Sequence, residues 1–202
     1  MKLRSSAGGF LAGCAAMGLA AMTLAPQDPA ELEKMMQAMQ EAFEKYGAPA
    51  EQHAELAKRV GNWKADLKFW EVPGTEPQTM SGESSFEMIM DGRYLLQHFS
   101  GDFQGQPFEG AGLTGYDRMK NEYQSIWIDN MSTAIFWSTG KESGGQYVLK
   151  GEMPDIMLGK YIPTRGTEMV VDDNTIVSAM YRPGPDGKEF MHMEIKYTRV
   201  QD

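Results

Sequence analysis

Gly110-Ala111-Gly112-Leu113-Thr114-Gly115 carries the G-x-G-x-x-G spacing that cradles a dinucleotide pyrophosphate. That fingerprint works only where a strand runs into a helix, so that the phosphates meet the helix N-terminus. Here Tyr116-Asp117-Arg118 follows, which is hairpin chemistry, and no βαβ pattern surrounds it. The glycines therefore read as strand positions that relieve crowding. His53, His98 and His192 share no H-x-H or H-E-x-x-H spacing, so the sequence points to no zinc site. Cys14 is the single cysteine, which excludes an internal disulfide and a thiolate cage. No G-x-S-x-G elbow is present. The sequence thus assigns no catalytic residue, no metal ligand and no cofactor, and it leans away from an enzyme.

Two polar positions remain of interest. Asp129 and Asn130 end a strand that carries Trp127, next to Ser132 and Thr133. They read either as polar groups converging on a rim or as an Asx-type turn between two strands. His192 lies in a late strand and alternates with Glu194, Lys196 and Thr198, while Met191, Met193, Ile195 and Tyr197 form the apolar face. The alternation places His192 on the outside.

Nineteen Lys plus Arg against 28 Asp plus Glu give the 202-residue chain a net charge of −9. With no basic cluster, that balance argues against a nucleic-acid partner. Hydrophobic residues make up 42%, enough to bury a core. Lys2 and Arg4 precede an uncharged stretch from Ser5 to Ala25, the pattern of an export signal over residues 1–25. Three fates stay open: cleavage near Ala20, Ala21 or Ala25; lipidation at Cys14, since Leu11-Ala12-Gly13-Cys14 resembles a lipobox; or an uncleaved anchor. Each places the rest of the chain outside the cytoplasm, periplasmic, secreted or lipid-anchored in the envelope. Any membrane contact would run through this segment or a Cys14 lipid.

Residues 26–60 read as helical. Asp28-Pro29 is a helix start, and Leu32, Met35, Met36, Met39, Phe43 and Tyr46 share one face before Gly47 stops it. That Met-rich stripe either packs on its own domain or docks a partner. A shorter helix spans 50–60. From Gly61 to the end at 202 the period falls to two, with about ten strand-like runs. Asp91-Gly92, Asp117 to Asn121, Gly144-Gly145, Asp172 to Asn174 and Pro183 to Gly187 punctuate them. No helix is long enough for a parallel crossover. The expected fold is mainly β: a single antiparallel up-and-down barrel of about ten strands, preceded by one or two helices, with a sandwich as the alternative.

Gly61-Asn62-Trp63 at the start of the first strand resembles the G-x-W signature of the lipocalin and fatty-acid-binding (calycin) barrels. That resemblance implies that Trp63 plugs one end of the barrel with Arg199 packed over it. Gly112 to Asp117, Tyr123 to Trp127, Ile128 to Met131 and the Glu51 to Trp63 opening resemble bacterial domain-of-unknown-function family 1579, over about residues 49–200. The resemblance brings no catalytic residue with it. Some calycin barrels resembling nitrobindin hold haem through a histidine on a late strand, which is where His192 lies.

Strand alternation then selects an inward set. It comprises Leu67 and Phe69 in the first strand, Phe86, Met88 and Met90 in the second, and Met191, Met193, Ile195 and Tyr197 in the last. In the middle strand neither face is purely apolar, and the Trp127 face is taken as inward because Ser125 and Asp129 would supply orienting polar groups. Such an interior either is filled by its own Trp and Met side chains or holds a small apolar or amphipathic ligand, with its polar end near Asp129. The function expected is non-catalytic ligand binding. The alternatives are a haem-binding or cofactor-free enzyme of the calycin class, and an envelope interaction module that uses the Met-rich helix. Oligomeric state is not legible.

Overall fold

The computed structural model describes residues 28–201, so the export signal and Cys14 lie outside the described residues. The described residues fall into two compact units, one ending at Gly47 and the other beginning at Ala48.

In the first unit, helix α1 spans Pro29–Ala42 and runs into a π-helical turn, Phe43–Gly47. Asp28 caps it: its carboxylate accepts the amide N–H of Ala30 at 2.9 Å, and Pro29 takes the first turn, where no donor is missed. The stripe from Leu32 to Tyr46 is exposed along its whole length.

The second unit opens with the short helix α2, Glu51–Ala57, whose start is held by the Ala50 N–H donating to His53 Nδ1 at 3.0 Å. Ten strands follow: β1 Gly61–Phe69, β2 Gln78–Ile89, β3 Tyr94–Phe103, β4 Gln106–Asp117, β5 Glu122–Asp129, β6 Phe136–Ser143, β7 Gln146–Asp155, β8 Lys160–Asp172, β9 Thr175–Pro183 and β10 Glu189–Arg199. Each pairs antiparallel with its neighbours in sequence, and β1 pairs with β10, so the sheet closes into an up-and-down barrel with no free edge. Register across the closing seam runs from Trp63 opposite Arg199 to Phe69 opposite Met193.

Several strands are longer than the apolar alternation indicated. β3 reaches Phe103 and is joined to β4 by Gln104-Gly105, a two-residue turn with φ of 55° and 81° that was not among the expected turns. Both central residues at positive φ match the right-handed twist of the flanking strands.

Trp63 closes one end. It is 1% exposed, its indole N–H donates to the Arg59 carbonyl at 2.8 Å, and the Arg199 guanidinium carbon lies 4.1 Å from its ring centroid. Gly61 makes that approach possible: a Cβ there would sit 2.6 Å from Arg199 Nη1, and its φ of +130° disfavours any other residue. Arg199 donates to the carbonyls of Val60 (2.6 Å), Lys58 (2.8 Å) and Asp173 (2.6 Å), tying the end of α2 and the β8–β9 turn to the seam.

Truncating a buried tryptophan costs about 3–5 kcal/mol. Trp63→Ala should therefore lower the thermal midpoint by roughly 6–20 °C, at about 2–4 °C per kcal/mol for a domain of this size. Differential scanning calorimetry checks this, and a near-wild-type midpoint would show that Trp63 does not anchor the end.

Candidate functional site

Inward-facing side chains leave a cavity of about 480 Å³ inside the barrel. Its wall is mostly apolar: Leu67 and Phe69 from β1, Met80 and Phe86 from β2, Leu95, Phe99 and Phe103 from β3, Phe108 from β4, Leu149 from β7, and Met193 and Ile195 from β10. Trp127 lies on this wall because β4 makes room for it. A Cβ on Gly110 would come 2.2 Å from the indole, and one on Gly112 would come 3.2 Å from it. The first two glycines of the G-x-G-x-x-G string thus face an indole across a strand pair, and the whole string lies within β4.

Of the residues expected to face a ligand, Phe69, Phe86, Trp127, Asp129, Met193 and Tyr197 line the cavity. Met88 packs against the core without reaching it. Met90 is a correction: it leaves β2 at a φ of 51° and is 67% exposed in the turn before β3. Met191 is another, and the cause is a β-bulge. Met191 pairs with Tyr181 and Met193 with Met180, so His192 is an extra residue that resets the alternation. Met191 is turned off the cavity wall, and His192, expected outside, turns in.

His192 is 8% exposed and lines the cavity, and its buried Nε2 has no hydrogen-bond partner. Burial, with the nearby Arg182 charge second, pushes its pKa down to about 4. Asp129 does not offer a free carboxylate. One oxygen accepts the Trp127 indole N–H at 3.0 Å, and the other accepts the backbone N–H groups of Met131 (3.0 Å) and Ser132 (3.1 Å). It is an Asx-type turn where β5 ends, and the exposed apolar residues Met131 and Ile156 line the same cavity.

The opposite end holds a polar group that strand periodicity did not indicate. Arg59 follows α2 and points into the barrel, where Nε donates to Glu168 Oε1 at 2.6 Å and Nη1 to the Glu55 carbonyl at 3.0 Å. Its guanidinium carbon lies 4.3 Å from the Tyr147 ring centroid. Ser178 donates to the other Glu168 oxygen at 2.9 Å. Burial opposes the Arg59 charge, but Glu168 and then Tyr147 outweigh it, and the pKa is raised. Beside this pair, Gln97 Nε2 donates to Ser84 Oγ at 2.9 Å and to the Tyr197 hydroxyl at 3.2 Å. The one available signal was Glu168 itself, a charge in step with Gly166 and Val170 on the inward side of β8. Among the described residues no group of three or more His, Cys, Asp or Glu could hold a metal ion.

The His192 shift has a definite sign. Below its ordinary value near 6.5 the unfolded chain takes up a proton that the folded chain refuses until about pH 4, so stability falls as pH drops through that window. His53, whose pKa burial and then Arg118 also lower, acts in the same direction. His192→Gln should therefore lose less stability than wild type between about pH 7 and pH 4, with a difference on the order of 3 kcal/mol. Urea denaturation at a series of pH values measures it, and parallel profiles for the two proteins would contradict a buried neutral His192.

Comparison with known proteins places the fold. Rv2717c from M. tuberculosis is similar at a TM-score of 0.52 and 14% identity, covering 76% of this chain and 100% of that one. The S-type phycobiliprotein lyase CPES from Guillardia theta is similar at a TM-score of 0.52 and 9% identity, covering 75% of this chain and 93% of its own. At these identities the likeness is one of fold, a calycin-like barrel. No curated protein matches the chain. A family model described as Protein of unknown function (DUF1579) matches residues 48–199, which take in α2, the whole barrel and every residue of the cavity wall, and the chain belongs to that family.

Proposed function

We propose that this protein is an exported, non-catalytic binder that holds a small apolar or amphipathic ligand inside its barrel. The carrying observation is the cavity of about 480 Å³. This lies within the range of roughly 300–1,000 Å³ typical of small-molecule sites, and a mainly apolar wall with a few convergent polar groups is their usual composition. Binding is favoured over catalysis because the two carboxylates on the wall are already engaged, which leaves His192 without an acidic partner to work with. Glu168 is taken by Arg59 and Ser178, and Asp129 by its own turn. Export rests on the uncharged stretch from Ser5 to Ala25 after Lys2 and Arg4.

A second reading is favoured by His192. A haem iron takes a neutral imidazole nitrogen as axial ligand, and His192 brings an unpartnered Nε2 to an apolar cavity wall. Under this reading His192 would hold the iron, and haem would supply the redox or gas-binding chemistry. A Soret shift on adding haemin, lost in His192→Ala, would support it, and an unshifted spectrum removes it.

The main reading is tested by organic extraction of the purified protein with mass spectrometry, together with titration of the neutral fluorophore N-phenyl-1-naphthylamine. Either a co-purifying amphipath or saturable uptake of the fluorophore is expected, with uptake at least about tenfold weaker in Leu149→Trp, whose indole would fill the cavity. No extracted species and no uptake would overturn it.

A further inference from the structure

Charge balance at the closed end of the cavity carries the reading further. A cavity that held a carboxylate or an amine would need an opposite charge left free to meet it, because an uncompensated buried charge is costly. Arg59 is 2% exposed, and its guanidinium is already committed to Glu168, to the Glu55 carbonyl and to the face of Tyr147. Both Glu168 oxygens are taken, one by Arg59 and one by the Ser178 hydroxyl. The two charges cancel within one 2.6 Å contact, and neither is offered to a ligand. What remains on this wall is polar and neutral. The Tyr197 hydroxyl accepts from Gln97 and keeps its own proton to donate, and Thr114 and Ser125 share one hydroxyl–hydroxyl bond of 2.9 Å. Farther along the wall the Asp129 carboxylate is likewise taken, by the Trp127 indole N–H and the Met131 and Ser132 amides. Buried His192 is neutral, so neither offers a free charge.

We infer that the cavity selects amphipaths whose polar end is uncharged, such as an alcohol, ester or amide, and rejects carboxylates and amines of the same chain length. This rests on the binding function proposed above and names its ligand class. The Arg59–Glu168 pair acts as an internal neutraliser: each residue closes the cavity to the head group that the other would recruit. The arrangement therefore makes a reciprocal prediction. Removing either charge should open the cavity to ligands of that same sign.

The test is competition against N-phenyl-1-naphthylamine by 1-decanol, decanoate and decylamine at about pH 8, where the last two are ionised. In wild type, 1-decanol should displace the fluorophore at least about tenfold better than either ion. Glu168→Gln, which keeps the shape and leaves Arg59 uncompensated, should improve decanoate at least about tenfold and leave decylamine unchanged. Arg59→Gln should do the converse. Each variant tests the pair by itself, so loss of folding in one leaves the other decisive, and circular dichroism reports which has folded. Decanoate binding wild type as tightly as 1-decanol, or an unchanged ranking in a folded variant, would overturn the inference while leaving ligand binding intact. Absence of fluorophore uptake and of displacement by all three compounds would instead remove the binding function, and this inference with it.

Discussion

The Arg199 clasp is the contact on which the rest of the barrel depends. One guanidinium on the last strand reaches three backbone carbonyls, at Lys58, Val60 and Asp173, and covers the Trp63 ring on the first strand. Hydrogen bonds from a charged donor are among the stronger ones in proteins. Here they fall where the sheet must close, where the chain enters it from α2, and where a neighbouring hairpin turns. The Lys58 and Val60 carbonyls lie just past α2, where a cation also meets the negative end of the helix. Gly61 is what allows the guanidinium to come so near. Fixing those carbonyls sets the direction of the preceding turn, so that Leu56 and Arg59 enter the barrel and seal it.

From that plug the character of the interior follows. Ten strands enclose more space than eight, the number at which side chains just fill a barrel. Here the aromatic residues line the wall instead of meeting across the middle, and the cavity remains. Leu56 seals with apolar surface, whereas Arg59 brings a charge that has to be answered from β8. Only Arg59 is buried; Glu168 stays partly exposed, and an ion pair of this kind is weak evidence of stability, since apolar groups of similar volume are often as good. Its presence at the floor of a mainly apolar cavity therefore bears on what the cavity accepts more than on how firmly the barrel folds. The Tyr123 and Tyr147 rings, edge to face at 4.8 Å, complete that floor.

The architecture was largely legible from the residues because period-two alternation and turn chemistry are local signals. Asp91-Gly92 and Gly144-Gly145 lie in hairpin turns, and G-x-W marks where the barrel begins. Trp127 shows how far such reasoning extends. Neither face of β5 is purely apolar; the polar groups on the Trp127 face argue for turning it inward, and it is the structure that shows Gly110 and Gly112 on β4 leaving room for the indole. His192 shows where it stops. Alternation assumes an unbroken ladder, and a single extra residue between Met191 and Met193 inverts every assignment before it in β10. The Arg59–Glu168 pair joins residues 109 apart in sequence, and no periodicity links a residue after a helix to one in the eighth strand. Asp129 was read as either a rim group or a turn, and its bonds to Met131 and Ser132 identify the turn.

The central claim is that the barrel interior is a cavity kept open above the Arg59–Glu168 floor. A high-resolution crystal structure of the purified protein, with density examined between Trp127 and Arg59, tests it most directly. The account predicts continuous density for a bound molecule or ordered solvent in a volume near 480 Å³, with the Arg59–Glu168 contact intact below it. Side chains of Trp127, Phe108 and Phe136 collapsed into a dry, filled centre would contradict it.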